Sequence, residues 1–250
     1  MNSRRSETII FSALILAGGL LYGLRWELFA SPSLHNEMWR FLLGDIGFLF
    51  LQVAIVTLLI DRLLRSRERQ SMRRKLNMVI GAFFSELGTK LLGRLAVADA
   101  ALEEVRPDLI PAPSWTPAHY AAARAALHAH HPRIDITACD LYELKEMLES
   151  EKRFVLGLLG NQALLEHEEF SELLWAVTHL AEELAVRDSL DDIAPADRVH
   201  ISGDVKRVYT LLVTEWLEYL RHLQLQYPYL FSLAVRTNPL DPHANAEVTQ

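Results

Sequence analysis

One cysteine, Cys139, stands in the sequence with none to pair it, so neither a disulfide framework nor a thiolate zinc site is available. No phosphate-cradling glycine loop occurs: Gly18-Gly19 lies inside an apolar run, and there is no GxxxxGK[ST]. A G-x-S-x-G elbow and the HEXXH zinc pattern are also missing, and nothing around Cys139 marks a nucleophile. No histidine follows a glutamate by three residues, as a di-iron bundle needs; Leu164, Ala176 and Tyr219 hold those places for His167, His179 and His222. No alternating apolar and polar run reads as a strand. These absences leave no catalytic, cofactor or metal residue to name, and the chain reads away from an enzyme.

Charge is scarce in two places. Thr8 to Leu24 carries no charged residue, and the 20 residues from Phe41 to Ile60 carry one, Asp45. At about 1.5 Å rise per residue, such runs suit a hydrocarbon core roughly 30 Å thick. Two spans are therefore predicted, about 8–26 and 41–60, forming a transmembrane hairpin over residues 1–61. Trp26 and Trp39 lie where interfacial anchors belong. Arg4 and Arg5 precede the first run as in a signal peptide. That run is long for one, however, and Leu28 spoils the small-residue site near Ala30, so an uncleaved anchor is expected.

Basic residues then appear in a block: Arg62, Arg65, Arg67, Arg69, Arg73, Arg74 and Lys75, against Arg25 and Arg40 at the edges of the connection. This bias predicts both termini on the cytoplasmic side, with the block resting on anionic lipid headgroups or docking a partner. Residues 1–75 hold 11 Lys and Arg against 6 Asp and Glu; the totals of 25 and 32 leave 14 and 26 for residues 76–250. An acidic domain of net −12 repels a phosphate backbone, which excludes nucleic acid as a partner. Half the chain is hydrophobic and its mean hydropathy is +0.10, which fits a protein part in lipid and part in water.

Inside the apolar runs, Gly19 and Gly23 form a small-xxx-small pair suited to close helix packing. Asp45 is the costliest residue there, and Arg25 at similar depth is its expected partner. Gln52, seven residues on, shares the face of Asp45 and with it offers a polar seam or the lining of an oligomeric pore.

The rest reads as all-α. Apolar residues recur at Leu76, Val79, Ile80, Phe83, Phe84, Leu87, Leu91 and Leu95, which makes 62–106 a basic juxtamembrane amphipathic helix continuing the second span. The proline-rich stretch 107–117 reads as a linker, 118–235 as an acidic helical bundle, and 236–250 as a disordered tail. DSLDDIAPAD breaks the pattern, and the last long helix is placed at about Gly203 to Gln226. On the helix expected over Leu164–Arg187, Trp175 falls within an acidic stripe of Glu168, Glu172, Glu182 and Glu183, a candidate partner anchor. His128, His130 and His131 read as polar groups ending an alanine-rich helix, and His179–Glu183 and Glu218–His222 as surface pairs.

The segment YPYLFSLAVRTNPLDP, Tyr227 to Pro242, together with this layout resembles a group of bacterial two-span inner-membrane proteins with no assigned activity. The resemblance implies a bacterial inner (plasma) membrane location and transfers no catalytic residues. The expected function is a membrane-anchored interaction or scaffold module that self-associates as a homo-oligomer or docks a cytoplasmic protein. The alternatives are a small channel or membrane-perturbing effector, and a membrane-associated enzyme.

Overall fold

A computed structural model describes residues 2–28, 34–161, 164 and 167–247. Arg4, Arg5, Trp26, Trp39, Arg40, Arg69 and Arg73 lie outside the residues whose side chains are described, as does the Ala30 region. The chain divides into two compact units, Met1–Ser71 and Met72–Gln250. All helices and no strands make up the regular structure of the described residues, with one isolated bridge between Asp99 and Ile134.

The first unit holds α1 (Asn2–Leu28) and most of α2 (Leu34–Phe83), which runs unbroken through the apolar run and the basic block. Within α2, Gly44–Glu68 is 25 residues long and apolar enough to cross a membrane; α1 contains a shorter apolar stretch, Phe11–Arg25. The two helices approach where side chains are smallest. A Cβ on Gly18 would lie 3.2 Å from the Gly47 carbonyl oxygen, and one on Gly44 would lie 2.6 Å from Arg25 Nη1. Ala54 is buried as well, so one small-residue face of α2 receives α1.

The second unit is a helical bundle. Its helices are α3 (Thr89–Ala96), α4 (Leu102–Val105), α5 (Pro117–Ala129), α6 (Leu141–Leu159), α7 (Glu168–Ala185), α8 (Pro195–Gln226) and α9 (Pro228–Arg236). α7 packs against α6 and α8, and α8 also meets α3, α5 and α9. Capping fixes several starts: Asp140 accepts from the Glu143 amide at 2.9 Å, His167 Nδ1 from the Phe170 amide at 3.1 Å, and Thr116 forms a box with His119.

A π-helical turn, Phe84–Gly88, precedes α3. Gly88 is required there, because a Cβ would meet the rings of Phe83 and Phe84 at 2.6 and 2.7 Å. Those rings stack edge to face, and Phe84 lies flat on Tyr219 with centroids 5.0 Å apart.

The apolar positions from Leu76 to Leu95, carried by the end of α2, a π-helical turn and α3, share one core with α7 and α8. Three expectations are corrected. The proline-rich stretch is packed rather than a free linker: Leu109 is 1% exposed, and Gln224 Nε2 donates to the Pro113 and Trp115 carbonyls. The tail is anchored. Asn238 and Leu240 are fully buried, and Asn238 accepts from Trp216 Nε1 at 3.1 Å and donates to the Leu109 carbonyl at 3.1 Å. Finally, α8 begins at Pro195, not near Gly203, because proline is well suited to the first helical turn.

Candidate functional site

The sequence-predicted residues fall in three places. On α2, Asp45 and Gln52 are both exposed on the side away from α1. The Arg25 guanidinium lies over Gly44, where a Cβ would meet its Nη1 at 2.6 Å. Gly19 and Gly23 have open space around them; Gly18 makes the contact with α2. In the basic block, Arg62, Arg65, Arg67, Arg74 and Lys75 are exposed, with Arg65 paired to Asp61 at 3.0 Å.

On α7, Trp175 is 62% exposed, although Leu174, Ala176 and Val177 around it are buried. Glu168 and Glu172 are exposed on the same stretch. No described element covers the indole.

Buried polar groups elsewhere are mostly accounted for by structure. Asp99 accepts from His130 Nε2 at 2.8 Å and from the Ala101 and Arg133 amides, tying the end of α5 to the turn after α3. Of the three histidines ending α5, His130 therefore does work beyond capping. The Cys139 thiol donates to the Arg94 carbonyl at 3.1 Å, and burial pushes its pKa up, which disfavours the nucleophilic thiolate. Cys139 lines a shallow pocket of about 310 Å³ with Tyr142, Asp191 and Arg198.

A fourth place was missed. The C-terminal end of α7 presents His179 and Glu183, and the N-terminal part of α8 presents His200 and Asp204, each pair one helical turn apart. The four side chains form a ring in which imidazole and carboxylate alternate. His179 Nε2 lies 3.8 Å from Glu183 Oε1 and 3.6 Å from Asp204 Oδ1. His200 Nε2 lies 3.5 Å from Glu183 Oε2 and 3.4 Å from Asp204 Oδ2. The histidines are about half exposed, whereas the Asp204 side chain is 9% exposed. Outside the ring, Arg187 grips Asp197 with two hydrogen bonds, 2.9 and 2.6 Å, and Glu183 Oε2 at 2.8 Å. That guanidinium holds the Glu183 and Asp197 carboxyls below their ordinary pKa.

The signal for this ring was present as two i,i+4 pairs, His179-x₃-Glu183 and His200-x₃-Asp204. Only the first lies wholly within a helix that the sequence pattern predicts. A last helix starting near Gly203 leaves His200 outside it, whereas the observed start at Pro195 brings the second pair onto one helix.

The fold and these sites define a helical protein of two units, and no catalytic constellation is recognisable among the described residues. The chain belongs to the family described as "Uncharacterized protein MJ1433": residues 2–64 match its N-terminal helical domain and residues 72–236 its C-terminal helical domain. It is 39% identical over 241 residues to "Uncharacterized protein MJ1433" of Methanocaldococcus jannaschii, covering 96% of each chain. That relative is archaeal, so the comparison does not confirm the bacterial attribution made from Tyr227–Pro242. No solved structure matches the chain.

Proposed function

We propose that the protein is a membrane-anchored helical interaction module, with α1 and α2 crossing the bilayer as a hairpin and both termini on the cytoplasmic side. The observation that carries this reading is the burial of Gly44–Glu68: its apolar window is only 11% buried, whereas the core helix of a soluble protein is mostly covered. A bilayer would solvate the exposed Leu, Ile, Val and Phe of this helix. The basic block follows it directly, and anionic headgroups suit that position.

Docking is assigned to Trp175 and the carboxylates beside it. An exposed tryptophan on a helix whose other large apolar side chains, Phe170, Leu173, Leu174, Val177, Leu180 and Leu184, are buried has the character of an interface anchor. Its acidic surround favours a basic partner surface, and Arg62–Lys75 of a second copy is the charge-complementary candidate within this sequence. Trp175→Ala is expected to weaken self-association of the detergent-solubilised chain by about thirtyfold, equivalent to about 2 kcal/mol at a hot spot. Its melting temperature should stay near that of the parent. An unfolded variant, or unchanged association, contradicts the assignment.

A second reading, an oligomeric channel, is favoured by Asp45 and Gln52 facing away from α1 on one side of α2. It requires Asp45→Asn or Gln52→Leu to alter the conductance of reconstituted vesicles.

A further inference from the structure

We infer that His179, Glu183, His200 and Asp204 form a binding site for a divalent transition-metal cation, of which Zn²⁺ is the representative, bridging α7 and α8. Two imidazoles and two carboxylates supply the donor set that such borderline cations prefer, whereas Mg²⁺ and Ca²⁺ favour oxygen alone. The three ligand atoms of His179, Glu183 and His200 all lie within 4.8 Å of one another. Asp204 closes the ring at 3.4 and 3.6 Å from the two histidines.

The spacing suits an ion better than it suits direct bonding. The four ring edges, 3.4 to 3.8 Å, exceed hydrogen-bond length. Four donors held at about 2.1 Å from a tetrahedral Zn²⁺ stand about 3.4 Å apart, and each imidazole Nε2 already lies 3.4 to 3.8 Å from one oxygen of each carboxylate.

Asp204 provides the independent observation. Its side chain is 9% exposed and aimed into the ring, yet its Oδ2 is buried without a hydrogen-bond partner. A buried carboxylate oxygen left in that state is costly unless a cation meets it. Arg187 already neutralises Asp197 and one oxygen of Glu183, and leaves Asp204 to the ion. The half exposure of both histidines would leave the ion open to water on one side, with a coordination position available to a small ligand.

The test uses the full chain in detergent micelles, freed of any affinity tag and stripped with chelator. Titration with Co²⁺, whose visible absorption reports tetrahedral or five-coordinate binding, should saturate at one ion per chain, and Zn²⁺ should displace it. The double variant His179→Ala, His200→Ala should lose affinity beyond the roughly 10- to 100-fold that removal of an outer-shell partner costs. The control His128→Ala, His131→Ala, at exposed positions, should bind as the parent does.

Asp204→Asn keeps the side-chain shape and covers the case in which the double variant fails to fold. It should abolish the rise in melting temperature produced by Zn²⁺ without lowering that of the stripped protein. Failure of the parent to saturate overturns the proposal. So does parental affinity in either the double variant or Asp204→Asn.

Discussion

Glu215 sits on α8 beside Trp216 and is only 3% exposed. Burial, reinforced by the neighbouring carboxylates of Glu169 and Glu218, raises its pKa from 4.5 to about 7; Arg124 opposes the shift. Arg124 is instead shared between Glu169 at 3.5 Å and Glu218 at 3.4 Å. Because the folded-state pKa lies above the unfolded one, the protonated form stabilises the fold. That contribution is complete below about pH 4.5 and is lost as pH rises through 7. Glu215→Gln should therefore match the parent in denaturant stability at the acid end and exceed it above pH 7, by up to about 3 kcal/mol. Parallel pH profiles for the two proteins would contradict this. Nothing in the sequence around Glu215 distinguishes it from the solvated glutamates of α7. Its burial follows from α8 being packed by α3, α5, α7 and α9.

Among the elements, the Asn238 amide ties the terminal segment to the bundle, alongside Arg106, which donates to the Leu240 carbonyl. Asn238 bonds Trp216, the Leu109 carbonyl and the Leu240 amide, and so joins the tail, the proline-rich segment and α8. Asn238→Ala should destabilise the domain by about 2–3 kcal/mol, read by thermal or denaturant unfolding, since it orphans the buried indole N–H and a carbonyl. A loss below about 0.5 kcal/mol would mean that the tail is not part of the cooperative unit. Most helices were legible from period and caps: the apolar spacing from Leu76 to Leu95 gives the core face, and Asp140 and Gly160 bound α6. The proline-rich and terminal segments were misread because proline, asparagine and polar composition look alike in a linker and in a packed turn. Only a non-local partner such as Trp216 separates the two cases.

For the whole molecule, composition carried the division into a basic, apolar end and an acidic helical body, and the compact units part at Ser71 and Met72. The candidate sites were less legible. Trp175 stood out because a tryptophan among glutamates breaks the amphipathic pattern. The His179, Glu183, His200 and Asp204 ring depends on pairing two helices across the turn 186–194, which no single-helix motif encodes. The claim that the apolar helices anchor the protein is tested most directly by topology in a bacterial host. In a Cys139→Ser background, Ser31→Cys lies between the two runs, and Ser150→Cys is exposed on α6. The protein should stay in the membrane pellet through alkaline carbonate extraction. A membrane-impermeant maleimide should label Ser31→Cys in intact spheroplasts, and Ser150→Cys only after lysis. Release of the chain into the carbonate supernatant, or equal labelling of both cysteines before lysis, would contradict the account.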